Sequence, residues 1–291
     1  MDRTSSPRSR CAQLLAAALV LAVLPAAAQG RPPRKGARCP SGMVEVEGGR
    51  LERAGASAAR VGSFCLDRTE VTVDAYAVCA SAGACLAEEL ECGNAATWGK
   101  KGLRSHPINC VTWAEAETFC REHGKRLPSE EEWEWASRGG TRASTYPWGE
   151  EPPARRACWD GDENEKGKGL RKATCAVASH PSGKTPEGIQ DLAGNVREWT
   201  STSHDRHRVL RGGSWGDSLP EFLSTSFRGW NSPDERIELL GFRCAAPIGA
   251  VARVPVRKVK KLETSRAETD DAGVMIFAVP MELGSGKGKK R

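Results

Sequence analysis

The sequence lacks an apolar run long enough to cross a bilayer. A spanning helix needs about 20 apolar residues, and the run of Leu, Ala and Val from Leu14 to Leu24 stops at Pro25. It also lacks a repeat: its 31 glycines have no period of three, so collagen-like and coiled-coil chains are excluded. No two cysteines stand at the CxxC spacing of a zinc ribbon or a redox dithiol. Tyrosine is scarce, at 2 against 9 tryptophans. What is present is globular composition, with 27% charged and 39% hydrophobic residues, neither an acidic disordered chain nor a multi-span membrane protein. A length of 291 residues allows one large domain or two small ones.

The amino terminus reads as a cleaved secretory signal peptide over residues 1–28. Arg3, Arg8 and Arg10 form a basic segment, the apolar run follows, and Ala26-Ala27-Ala28 offers a small-residue cleavage site. No cysteine follows that site, which argues against a lipoprotein anchor. The expected localisation is therefore secreted or periplasmic. Residues 29–38, with Pro32, Pro33 and several basic side chains, read as a linker. Residues 251–291 read as a basic, partly flexible tail, with ten Lys or Arg against five Asp or Glu. The whole chain carries +6, the signal segment +2 and the tail +5, so the body is close to −1. The basic balance belongs to the tail, and the domain gives no reason to expect nucleic acid as a partner.

Loss of the signal segment removes Cys11 and leaves ten cysteines: Cys39, Cys65, Cys79, Cys85, Cys92, Cys110, Cys120, Cys158, Cys175 and Cys244. An even number in an exported chain reads as disulfides. Ten cysteines allow very many connectivities, and spacing alone does not choose among them.

Local patterning predicts a few short elements. Residues 43–48 alternate apolar and polar, which predicts a strand. A second strand from Phe64 runs toward a helix over roughly 73–81. Thr112 with Glu115, and Ser129 with Glu132, are capping boxes, in which a hydroxyl takes an orphan amide and a Glu reaches back. The first opens a helix with Trp113, Ala116 and Cys120 on one face and Gly124 at its end. From Gly139 onward regular periodicity fades, as in a loop-rich domain with short strands. The apolar run Val274–Leu283, interrupted by Pro280, predicts an extra edge strand.

Eight stretches then occur in order. They are EVTVDAY at 70–76, HPINCVTW at 106–113, GKRLPSEEEWEWASRGG at 124–140, YPWG at 146–149 and GIQDLAGNVREW at 188–199. RVLRGGSW at 208–215, RGWNSPDE at 228–235 and GFRCA at 241–245 complete the set. Together they resemble the formylglycine-generating enzyme family, also called the sulfatase-modifying-factor family, across residues 39–250. The resemblance implies an α+β class: a loop-rich C-type-lectin-like fold with short antiparallel strands and a few short helices.

The resemblance implies chemistry only where the residues match. The enzyme that names the family oxidises a cysteine of a nascent sulfatase with O2. It holds Cu(I) between two cysteines that lie between the GGS and GFRC stretches, soft thiolates on a soft metal. Here no cysteine stands between Gly212 and Cys244. Asp217 takes the place of the first, and the second falls near Phe222 or Leu223. Copper is therefore not expected. A related branch, iron-dependent sulfoxide synthases, takes three histidines from an added helical bundle. His204 and His207 of the segment HDRH read instead as solvated loop residues.

One family cation site maps across. The resemblance implies calcium held by the Asp191 and Glu198 carboxylates and the Gly194 and Val196 carbonyls, a set of hard oxygen ligands for a hard cation. A second family calcium site needs an Asn where Cys158 stands and is expected to be lost. The nearby Asp160, Asp162, Glu163 and Asn164 do not have EF-hand spacing. In the implied fold the expected bridges are Cys120–Cys244, Cys158–Cys175, Cys79–Cys85, Cys92–Cys110 and Cys39–Cys65.

Trp133, Trp135, Trp148, Trp199 and Trp215 lie inside family motifs and are expected in the core, whereas Trp98, Trp159 and Trp230 fall at variable or loop positions. Asp217, Arg228, Trp230 and Asn231 fall in the segment that lines the family's substrate groove. They are the candidate groove for a protein, peptide or polar ligand, since exposed aromatics beside Arg are common binding anchors. The expected function is an exported, catalytically degenerate binding or scaffold module, stabilised by disulfides and calcium. The alternative is an oxidoreductase of the formylglycine-generating type acting on protein cysteine or other sulfur.

Overall fold

The computed structural model describes residues 39–253, save 54, 56 and 162–169, and residue 255. The signal segment, the linker, most of the tail with its apolar run, and the acidic residues 162–164 lie outside the described residues.

Three helices form where hydroxyl residues offer an N-cap. Helix α1 (Val73–Ser81) starts at Thr72, whose side chain accepts from the Ala75 amide. Helices α2 (Trp113–Glu122) and α3 (Glu130–Ser137) both carry complete capping boxes, from Thr112 with Glu115 and from Ser129 with Glu132. Gly124, with φ of 71°, follows the end of α2. It leaves the helical path in the left-handed region, which costs glycine little. The inner face of α2 is Ala116, Phe119 and Cys120, with Trp113 only partly buried. It packs on Tyr76 of α1 and on Phe242, with ring centroids 5.6 and 5.4 Å from Phe119.

Strands are short and mostly antiparallel. β1 (Met43–Val46), β2 (Gly49–Leu51), β3 (Ala59–Val61) and β4 (Phe64–Asp67) come first. β1 and β4 pair from Met43 opposite Asp67 to Val46 opposite Phe64, and β2 pairs with β3. β5 (Arg197–His204), β6 (His207–Arg211), β7 (Gly229–Asn231), β8 (Leu240–Gly241) and β9 (Ala245–Pro247) follow the helices. They build a four-stranded sheet in the order β7-β6-β5-β8, while β9 adds to the free edge of β4. The end of the domain is thereby tied to its beginning.

Five disulfides staple this loop-rich body: Cys39–Cys65, Cys79–Cys85, Cys92–Cys110, Cys120–Cys244 and Cys158–Cys175. Cys120–Cys244 closes the longest loop, a separation of 124 residues, and joins α2 to the turn before β9. Long loops gain most from such a link, because the unfolded chain loses most freedom.

The structure corrects or refines the sequence reading in three places. Residues 197–211 form a hairpin, so His204 and His207, expected in a loop, instead end its two strands and face each other across a two-residue turn with Asp205 at φ of 53°. Trp159 lies in a loop, as expected, yet it is buried there, with its Nε1 donating to the Ala154 carbonyl, because it fills a small core with Tyr146, Ala193 and Leu223. Trp148 and Trp215 are only partly buried.

Candidate functional site

The loop before β5 is held by its own polar side chains. Asp191, Gly194 and Asn195 have φ of 59°, 81° and 60°. Asp and Asn tolerate this left-handed region, and Gly194 is further required by space. A Cβ on Gly194 would lie 2.4 Å from the Cys158 carbonyl oxygen. Asn195 organises its surroundings through four bonds. Its amide donates to Cys158 at 2.8 Å and its carbonyl accepts from Trp215 at 2.8 Å. Its Oδ1 accepts from the Cys175 amide at 3.0 Å, and its Nδ2 donates to Glu70 at 3.1 Å. The Cys158–Cys175 bridge and the loop are thus one unit.

Under the loop lies a buried charge cluster. Glu198 and Arg243 are both fully buried, and Arg243 Nη2 lies 2.7 Å from Glu198 Oε1. Arg243 Nε donates to both oxygens at 2.8–2.9 Å, and Trp133 Nε1 donates to Oε2 at 2.8 Å. Asp191 accepts from the Ala178 amide at 2.6 Å through Oδ2. Glu70 accepts from Asn195 and, at 3.4 Å, from the Val196 amide. Burial, followed by repulsion from Asp191 and Glu198, pushes the Glu70 carboxyl well above the usual range. Burial is also the main cause that raises Asp191. Three carboxyl groups therefore face one guanidinium. Sequence reading missed Glu70, which lies 125 residues from its partner Asn195.

The expected calcium set meets this geometry unevenly. Among the described residues, no three or more His, Cys, Asp or Glu side chains gather to hold a metal ion. Glu198 does not fit as a ligand, because Arg243 and Trp133 engage both its oxygens. Asp191 fits better, with its second oxygen outside the bond to Ala178. The surplus of buried negative charge favours a cation or a proton.

The segment where copper cysteines would stand is rebuilt. Asp217 is buried, and its Oδ1 takes Arg197 Nη2 at 2.5 Å. Its Oδ2 accepts from the amide and hydroxyl of Ser214 at 2.7 and 2.9 Å. Leu223 is fully buried, and Phe222 packs edge-on against Phe227. All ten described cysteines are disulfide-bonded, so no described residue offers a thiolate.

Of the four groove candidates, the structure brings three together. Arg228 immediately precedes β7, which carries Trp230 and Asn231. Trp230 is 50% exposed, with its ring 4.5 Å from that of His204. Asn231 Oδ1 accepts from the Ser232 amide, and Arg228 Nε donates to Glu130 at 2.6 Å. Asp217 departs from the expectation: its carboxylate is consumed by Arg197 and Ser214, so it anchors a turn rather than facing a ligand.

Residues 28–248 match the sulfatase-modifying factor enzyme 1-like domain. The inactive C-alpha-formylglycine-generating enzyme 2 of Bos taurus is 38% identical over 154 residues, covering 49% of this chain and 51% of that protein. The formylglycine-generating enzyme of Streptomyces coelicolor is 36% identical over 171 residues, covering 50% and 54%. This chain thus spans about half the length of the curated relatives it matches. Among solved structures, PvdO from Pseudomonas aeruginosa aligns with a TM-score of 0.57 at 22% identity, over 71% of this chain and 94% of that one. That likeness supports the loop-rich α+β fold.

Proposed function

This chain belongs to the sulfatase-modifying factor enzyme 1-like domain family, and we propose that within it the protein is an exported, catalytically degenerate binding or scaffold module. One observation carries the reading. The ten described cysteines are consumed in five disulfides, and the 213–243 segment supplies Asp217 and either Phe222 or Leu223 where the copper chemistry needs two thiols. Similarity to a relative named as inactive is in line with it.

The binding surface of this reading is the hairpin edge at Trp230 and Asn231, where a large aromatic face meets solvent beside His204. An aromatic ring with a polar surround suits a peptide or a polar ligand. Calcium enters with a reduced set, Asp191 and the carbonyls of Gly194 and Val196, without Glu198. Its chemistry there would be structural, neutralising buried carboxylates and fixing the loop. Export rests on the signal-like amino terminus and accords with five disulfides.

The discriminating experiment incubates the purified protein with a cysteine-containing sulfatase-motif peptide, Cu(I) and oxygen. The reading expects no aldehyde on the peptide. Aldehyde formation that depends on this protein would replace it with the oxidoreductase alternative, which similarity to the Streptomyces coelicolor enzyme favours.

A further inference from the structure

Two of the five bridges form a matched pair. Cys158–Cys175 and Cys92–Cys110 close loops of almost equal length, with separations of 17 and 18 residues, so loop closure hardly separates them. Each joins a buried cysteine, Cys158 or Cys110, to a half-buried one, Cys175 or Cys92. What differs is the charge at the sulfur. Arg171 Nη1 donates to Cys175 Sγ at 3.0 Å. At the other bridge the neighbouring arginine, Arg236, donates to the Cys110 carbonyl instead, and among the described residues neither sulfur there accepts from a charged side chain.

Arg171 is held at this place by bonds other than the bridge. The side chain is buried, its Nε donates to the Trp159 carbonyl at 2.9 Å, and its amide donates to Asp160 Oδ1 at 2.8 Å. A disulfide sulfur is a weak acceptor, whereas a thiolate at the same position gains a charge-assisted bond from a donor already in place. A cation beside a cysteine favours its thiolate, and stabilising the reduced form makes a bridge easier to reduce.

We propose that Cys158–Cys175 is a redox switch: a dithiol reductant opens it while Cys92–Cys110 stays closed, and its opening releases the 191–196 loop. The reductant's thiolate attacks the Cys175 sulfur and expels the Cys158 thiolate, which takes up a proton. The second thiol of the reductant gives up its proton, attacks the reductant sulfur of the mixed disulfide and expels the Cys175 thiolate beside Arg171. The dithiol is oxidised to a disulfide, and the bridge is reduced by the same two electrons. The loop reads the change through Asn195. Its amide donates to the Cys158 carbonyl at 2.8 Å, and its Oδ1 accepts from the Cys175 amide at 3.0 Å. Its two partners are thus the two halves of the bridge, and they are free to part once the bridge opens. The switch depends neither on the Trp230 surface nor on calcium.

The test equilibrates the whole purified protein with reduced and oxidised dithiothreitol at graded ratios, traps the thiols by alkylation and maps the label by peptide. Cys158 and Cys175 are expected to label at a reduced-to-oxidised ratio about tenfold lower than Cys92 and Cys110, the worth of one charge-assisted bond, or about 30 mV. Arg171→Gln is expected to remove most of that gap. A further measurement uses the unmutated protein at the ratio where Cys158 and Cys175 alone are reduced. Hydrogen exchange at the Asn195 amide is expected to rise about tenfold there, while exchange at the Trp133 amide inside α3 is unchanged. Opening of Cys92–Cys110 at the same or a lower ratio, labelling of all ten cysteines in one step, an unmoved gap in a folded Arg171→Gln protein, or unchanged exchange at Asn195 would each overturn the proposal.

Discussion

Arg243 and Glu198 face each other with no solvent on either side chain, the guanidinium Nη2 2.7 Å from the carboxylate Oε1. The pair joins the GFRCA and GIQDLAGNVREW segments. Arg243 also donates to the carbonyls of Asp67 and Gln190 at 3.1 and 2.9 Å. One side chain thus ties β4, the 188–196 loop and β5 to the turn before β9.

Arg243→Met should therefore be severe. It leaves Glu70, Asp191 and Glu198 buried with no cation between them. Removing one partner of a buried pair costs about 3–5 kcal/mol, and urea unfolding should show a loss of that order or no folded protein at neutral pH. The loss should shrink as pH falls and the carboxyls protonate. A change within about 0.5 kcal/mol, the range of a surface substitution, would contradict the cluster described.

Glu70 gives stability a pH dependence of definite sign. Its folded pKa lies above its unfolded one because of burial and then of Asp191 and Glu198. The folded state binds the proton more tightly, so this group's contribution to stability falls as pH rises from the ordinary carboxylate range through the raised folded value. In chelator, Glu70→Gln should flatten that fall and raise Tm at neutral pH by about 2–4 °C, the shift that about 1 kcal/mol gives in a domain of this size. Calcium, if it occupies the loop, should raise the Tm of the unmutated protein where magnesium does not. Identical melts in calcium, magnesium and chelator would remove calcium from the account.

The disulfides should differ in worth by loop length. Replacing Cys120 and Cys244 together with serine opens a loop of 124-residue separation, and replacing Cys79 and Cys85 opens one of 6. Loop entropy predicts a loss of about 4–5 kcal/mol for the first and distinctly less for the second. Chemical denaturation of both double variants checks the order, and a larger loss for the short loop would reverse it.

Trp230→Ala should leave the fold almost intact. The side chain is half exposed and lies on the edge strand β7 against His204, so the expected loss is under about 1 kcal/mol. Its effect should fall on partner binding instead. Reduced stability with unchanged binding of an identified partner would return Trp230 to ordinary packing.

Parts of this architecture are legible in the sequence for local reasons. Both capping boxes are contained within four residues, so α2 and α3 could be placed from sequence. The five bridges in the structure are those expected from proximity along the chain and the implied topology; cysteine spacing alone left them open. Short strands were expected after Gly139, but the β5–β6 hairpin could not be located because Thr and Ser fill its outward positions and its turn is Asp205-Arg206, without the glycine that marks such turns. Glu70 and the arginine–glutamate cluster beside α3 were invisible because their members come from distant segments. Arg53 and Glu134, for example, are 81 residues apart in sequence and bonded at 2.9 Å. Asp217 was misread as a groove residue because sequence does not show that Arg197 stands 2.5 Å from it.

The central claim is that the domain has no cysteine thiol with which to do chemistry. Alkylation of the purified protein under denaturing, non-reducing conditions, with peptide mapping against a reduced control, tests it most directly. The account predicts that none of the ten cysteines from Cys39 to Cys244 takes label before reduction, and that all ten do afterwards. Label on any of them in the unreduced protein would contradict the account and identify the residue at which sulfur or copper chemistry should be sought.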